Sequence, residues 1–184
     1  MQNGDSTFGI PVLDPFIADK LFGFLSNVNV TGLSAYEVND ADFSIFTLKF
    51  NLDLNWPLIT ARANYSIKNN KNAKINGKGG IDVAVQDFKF KIVINFKIEN
   101  GHIQINEIKP MNIALGAFDF HVLDLYKDDK KNAELSKMIS DMVLKLINEN
   151  QNVITNTSIN IITAIFNKLM SKVNLGNLIK PKLI

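Results

Sequence analysis

Between Phe46 and Trp56 apolar and polar residues alternate without a fault. Phe46, Leu48, Phe50, Leu52, Leu54 and Trp56 fall on one side, and Thr47, Lys49, Asn51, Asp53 and Asn55 on the other. A period of two belongs to a strand with one buried face. Pro57 has no amide hydrogen to give a ladder, so the strand is expected to end there, and the alternation resumes through Ile59, Ala61, Ala63, Tyr65 and Ile67. The two runs predict an antiparallel pair. Asn69 to Lys74 reads as a polar turn, and the glycine-rich segment from Asn76 to Gly80 as a bulged or mobile stretch of sheet edge. A third run begins near Ile81 and settles into Phe88, Phe90, Ile92, Ile94, Phe96 and Ile98, facing mostly lysines. Asn100-Gly101 is a hairpin signal, Ile103 and Ile105 continue the alternation beyond it, and a last strand is expected around Phe118, Phe120 and Val122. Long one-sided strands joined by short turns predict an antiparallel meander with one wet face.

The period then changes. After the charged stretch Lys127 to Asn132, Leu135, Met138, Ile139, Met142, Val143, Leu146 and Ile147 recur at helical spacing, and Ile154, Ile161, Ile162, Ile165, Phe166, Leu169, Met170 and Val173 extend the pattern. Neither Pro nor Gly interrupts Ala133 to Val173. The reading is one helix of about 40 residues, roughly 60 Å long, with two helices broken near Asn150 to Asn152 as the alternative. Gly176 and Pro181 are suitable stop signals. The class is therefore α+β, with a long C-terminal helix that needs a surface along its whole length and a curved antiparallel sheet able to wrap it. Where side chains do not fill such a wrap, an elongated apolar space remains.

At 184 residues the chain is long enough for one domain with a sizeable core, so residues 1–184 are taken as a single domain. Thirteen Phe against one Trp and three Tyr point to an oily interior with few aromatic hydroxyls. The formal net charge is only +2, with basic residues scattered among acidic ones, which argues against nucleic acid as a partner. With no cysteine there is no disulfide, thiolate metal site or thiol nucleophile. No apolar run reaches the ~20 residues of a membrane span, so stable membrane insertion is not expected. The opening Met1 to Pro11 shows no signal peptide and reads either as an initiator Met on a mature secreted chain or as a cytosolic start. Sequons stand at Asn29, Asn64 and Asn156.

Five segments, in order, carry a resemblance. GIPVLDPF (Gly9 to Phe16), NVNVTGLSAYEV (Asn27 to Val38), LNWPLITARANYSI (Leu54 to Ile67), INGKGG (Ile75 to Gly80), and LINENQNVI with IFNKLMSKV near the end resemble the corresponding segments of the takeout and juvenile-hormone-binding protein family of insects. The resemblance implies the tubular lipid-binding fold, in which one long helix is wrapped by a strongly curved antiparallel sheet around a hydrophobic tunnel. It also implies secretion into haemolymph or another body fluid and carriage of terpenoids, fatty acyl compounds or related lipids. The family's N-terminal helix and cysteine pair ahead of the G-I-P segment have no counterpart in this sequence, which puts the closure of one tunnel end in question.

No catalytic constellation stands beside this reading. His102 and His121 are not at metal-ligand spacing, and HExxH, G-x-S-x-G and Walker A patterns are absent from the sequence. Asp128 and Asp129 sit in a solvated charge run, without the burial that a catalytic pKa shift requires. Neither enzymatic activity, metal nor cofactor is expected, and the partner is a small hydrophobic molecule. With the resemblance, the inward faces become candidate ligand-binding positions: Phe46, Leu48, Phe50, Leu52, Leu54, Trp56, Ala61, Ala63, Phe88, Phe90, Ile92, Ile94, Met138, Met142, Phe166 and Met170. The flexible thioethers among them suit a cavity that must fit irregular ligands. The alternative function is a secreted surface-active or protein-interaction module whose apolar faces open at an interface.

Overall fold

The two alternating runs expected to pair with each other are one continuous strand, and the third is a single strand longer than its run. The computed structural model describes residues 14–67 and 77–170. Within these, strands β1 (Phe16–Leu21), β2 (Leu25–Thr31), β3 (Glu37–Ser44), β4 (Lys49–Ile67), β5 (Gly77–Glu99), β6 (His102–Ile108), β7 (Asn112–Ala114) and β8 (Ala117–Val122) precede helices α1 (Asp129–Glu149) and α2 (Gln151–Met170). The strands form an eight-stranded sheet in which β1, β2, β4, β5 and β6 are successive neighbours; β3 also pairs with β4, and β7 and β8 with β5. The β1–β2, β2–β4, β5–β6 and β5–β8 pairings are antiparallel. The described chain divides into two compact units. Unit 1 holds the residues up to Glu37, Asn55–Lys89 and Ala114–Glu149; unit 2 holds Val38–Leu54, Phe90–Ile113 and the residues from Asn150 onward.

Several boundaries differ from the sequence expectation, each for a local reason. Pro57 does not end its strand but lies inside the 19-residue β4. The last paired residues of β2 and β4 are Thr31 and Thr60, so Pro57 falls beyond the β2 ladder, and it is exposed there. Phe46 and Leu48 are not strand residues: Ile45 to Leu48 form the turn between β3 and β4. Leu48 takes the left-handed conformation at φ 50°, and the Thr47 amide donates to Ser44 Oγ at 3.3 Å, a turn geometry that simple alternation conceals. Gly77 to Gly80 open β5. Glycine is needed at position 79 because a Cβ there would fall on the carbonyl oxygen of Leu123 and within 2.8 Å of the Tyr65 hydroxyl. The helix starts at Asp129, four residues before the expected Ala133, since Asp128 Oδ1 caps it by accepting from the amides of Lys130 (3.0 Å) and Lys131 (3.3 Å). Helicity is interrupted at Asn150, whose carbonyl accepts the first α2 bond from Ile154 at 3.0 Å, so the broken alternative describes the helical region. The polar turn Asn69 to Lys74 and the expected helix end at Val173 lie outside the described residues.

In unit 1, three of the sequence segments meet at one turn. The Asp14 carboxylate accepts from the amides of Gly32 (2.9 Å) and Ser34 (3.2 Å), and Trp56 Nε1 donates to the Leu33 carbonyl at 2.9 Å. Gly32, at φ 89°, leaves room for the Leu58 carbonyl against which any Cβ would collide. Tyr65, buried, donates its hydroxyl to the Leu123 carbonyl at 2.9 Å. Burial first, and the nearby Asp124 charge second, push the Tyr65 phenol above its ordinary pKa, so it stays a neutral donor.

Helix α1 packs on β8 in unit 1, and α2 packs on β6 in unit 2. Each contact includes polar side chains that serve the strand backbone. The amides of Phe120 and Val122 donate to Ser140 Oγ (2.9 Å) and Ser136 Oγ (3.0 Å), one helical turn apart, while each hydroxyl donates back to a carbonyl of its own helix. Asn132 accepts from the Tyr126 amide and donates to the Tyr126 carbonyl. On α2, Gln151 bonds both the amide and the carbonyl of Ile113, Thr155 Oγ1 donates to the Met111 carbonyl at 3.2 Å, and Asn167 Oδ1 accepts from the Ile105 amide at 3.1 Å. Asn132, Ser136 and Thr155 are accordingly buried. Ser136→Ala would leave the Val122 amide buried and unpaired, and we expect a loss of about 1–3 kcal/mol in urea unfolding, against less than about 0.5 kcal/mol for the exposed neighbour in Lys137→Ala.

Candidate functional site

The inward residues of β5 and β6 build the core of unit 2. Ile92, Ile94, Ile105, Ile108 and Met111 are buried together, and Phe50, Leu52, Phe90, Phe96, Ile159, Ile162 and Phe166 pack around them. β5 and β6 place these side chains on one face, since Ile94 pairs with Ile108, Phe96 with Ile105 and Ile98 with Ile103. Helix α2 brings Phe166 to Phe96 with ring centroids 5.1 Å apart and planes 30° from parallel. Phe43 of β3 also meets Phe96, edge-on at 6.1 Å.

Beside these rings the packing stops short. A cleft of about 320 Å³, lined by Phe43, Phe50, Phe96, Ile103 and Phe166, remains open beside the core. Its volume is at the lower end of the roughly 300–1,000 Å³ of small-molecule pockets. No lining residue is titratable, a nucleophile or a hydrogen-bonding side chain. Glu107, held below the usual carboxylate range by hydrogen bonds from Lys109 and Asn95, is on the exposed side of β6. A larger depression of about 350 Å³ runs along β8 and α1 in unit 1. Its walls include Asp119, His121, Lys137 and Asp141, and an apolar ligand would have to strip water from those charges.

The expected positions are distributed between the two units. Phe50 and Phe166 line the cleft, and Leu52, Phe90, Ile92 and Ile94 form or border the core behind it. Leu54 is half-buried in unit 2. Trp56 and Phe88 meet at a tilt in unit 1 with centroids 5.3 Å apart, and Tyr36 also meets the indole at 5.8 Å. Ala61 pairs with Val30 and lies in a polar depression with Arg62 and Asp82; Ala63 is half-buried on the same strand. Met138 and Met142 of α1 are each 54% exposed, and Phe46 is wholly so. Leu48 is half-buried in its turn. The Met170 side chain lies outside what is described.

Three lining residues were missed. Phe96 and Ile103 continue faces that the alternation already displays, and the Asn100-Gly101 hairpin, with φ 53° and 79°, fixes their register. Phe43 carries no such signal, because β3 is exposed along nearly its whole length. Neither histidine takes part: His102 pairs with Glu99 and His121 with Asp82 across the sheet.

An antiparallel sheet backed by helices, with a cleft whose lining is wholly apolar, defines a class of protein that can hold greasy molecules. The chain belongs to the haemolymph juvenile hormone binding protein family, whose model matches residues 1–180. Its fold is similar to the crystal structure of takeout 1 of Epiphyas postvittana, with a TM-score of 0.59 over 95% of this chain and 87% of that one, at 12% identity. At that identity the likeness is one of fold alone. No curated protein sequence matches the chain.

The cleft makes one structural prediction of its own. Ile103→Trp adds a ring where the lining leaves space, so the melting temperature should stay within about 2 °C of the parent. Overpacking of a filled core would instead cost about 1–3 kcal/mol, a fall of several degrees for a chain of this size.

Proposed function

We propose that this chain is a secreted carrier that takes up an elongated hydrophobic ligand and acts by binding alone. The observation that carries the reading is the cleft of unit 2, five apolar side chains around about 320 Å³ with no polar group to satisfy. Membership of a family named for juvenile hormone binding supports it. Affinity would come from the ligand surface removed from water, about 25 cal/mol per Å², less the cost of association. A terpenoid of juvenile-hormone type, a fatty acyl chain and a carotenoid all present such surface. The aromatic walls favour a chain or ring that can lie against the Phe96 and Phe166 side chains. The binding set is then Phe43, Phe50, Phe96, Ile103 and Phe166, backed by Leu52, Phe90, Ile92 and Ile94.

Titration with a fluorescent fatty acid, followed by competition with a terpenoid and a carotenoid, tests this directly. Saturable binding at one site per chain is expected, and Ile103→Trp should weaken it by about tenfold or more by occupying ligand volume. A parent protein that binds none of the three classes would remove the carrier reading.

A further inference from the structure

We propose that the β3–β4 turn is a docking tip that brings the mouth of the cleft to the surface of a net-neutral, zwitterionic phospholipid layer, where ligand enters and leaves. The inference rests on the carrier reading and says where exchange takes place. At this turn the chain exposes two large apolar groups instead of hiding them: Phe46 is 101% exposed and Ile45 72%. Isolated exposed apolar residues are ordinary, but two adjacent ones at the apex of a hairpin form a convex wedge. The wedge is preformed, because Ser44 Oγ holds the Thr47 amide and Leu48 is set in the left-handed conformation.

The tip is continuous with the cleft. Phe43, one of the lining residues, is two residues before Ile45 on β3, and the Leu48 carbonyl accepts from the amide of Phe96, a second lining residue, at 2.7 Å. Ile98, 56% exposed, continues the apolar surface two residues beyond Phe96. An apolar ligand leaving the cleft past these residues meets water unless an apolar phase covers the mouth.

A phospholipid surface suits this tip better than a protein groove or an anionic surface. A convex wedge can enter a fluid layer without a matching cavity, with Ser44 and Thr47 hydroxyls left at the depth of the head groups. The flanking charges are Asp42, Lys49, Lys97 and Glu99, two of each sign, and Lys97 is paired with Glu99 at 2.7 Å. That balance supplies no net attraction to anionic lipid, so the apolar residues must carry the contact. Among the described residues no helix is long and apolar enough to cross a membrane, so the docking is peripheral.

The test uses the full chain and phosphatidylcholine vesicles. Co-sedimentation of ligand-free protein should fall about tenfold or more in Ile45→Ser/Phe46→Ser, and the rate of fluorescent fatty-acid transfer should rise with acceptor vesicle concentration in the parent only. Because both side chains are exposed, folding and ligand affinity without vesicles should be unchanged, which separates failure of this inference from failure of the carrier reading. Four results would overturn the inference. Two are unchanged sedimentation in the double variant, and loss of vesicle binding only with Phe22→Ser/Phe24→Ser at the β1–β2 turn. The third is binding that appears only when anionic lipid is added. The last is a parent that sediments as a dimer and becomes monomeric in the double variant, placing the tip in a second copy.

Discussion

An unpaired strand edge is a row of amides and carbonyls that must find partners, and here short polar side chains on the helices supply them. Ser136 and Ser140 serve β8 in unit 1; Gln151 and Asn167 serve β7 and β6 in unit 2, and Thr155 the Met111 carbonyl between them. The spacing is that of one helical face, with Asn132, Ser136 and Ser140 four apart and Gln151 and Thr155 again four apart. A helix attached in this way is oriented by directional bonds, whereas purely apolar packing would allow it to slide or turn. Hydrogen bonding thus fixes where each helix presents its other residues.

The consequence is that the apolar positions on the helices are not consumed in covering the sheet edge. In unit 2, α2 offers Ile159, Ile162 and Phe166 to the core, and Phe166 reaches Phe96 without closing the space beside it. In unit 1, Met138, Met142 and Leu146 recur at i, i+4 and i+8 along α1 and remain more than half exposed. Large rings at stacking distance leave gaps that smaller branched side chains would fill, and the cleft is a product of phenylalanines meeting phenylalanines.

The periodicities were legible because they follow from burial of one face. The runs that became β4, β5, β6 and β8 could be read directly, and so could the helical region. β3 could not, since Glu37 to Ser44 is exposed on both sides and held by bonds such as Asn39 to Asp53. The edge-covering serines were also hidden, because a serine on a helix reads as solvent-facing unless the strand it serves is known. The segments that carried the family resemblance turn out to be structural where they are described: Asp14, Gly32 and Trp56 close one turn, and Tyr65, Gly79 and Leu123 close another. They mostly fix the fold, and of the cleft-lining residues only Phe166 falls within one of them, so the resemblance could name the architecture without locating the cleft.

If the apolar cleft beside Phe96 and Phe166 is a ligand site and not a packing fault, an apolar chain should be found in it. A crystal structure of the protein soaked with a fatty acid brominated at its chain terminus tests this most directly, because anomalous scattering locates the bromine independently of the surrounding density. The account predicts a bromine peak within van der Waals reach, about 4 Å, of the Phe43, Phe96 or Phe166 ring. Bromine found only elsewhere, or no bound chain at saturating ligand with the cleft unblocked in the lattice, would contradict it.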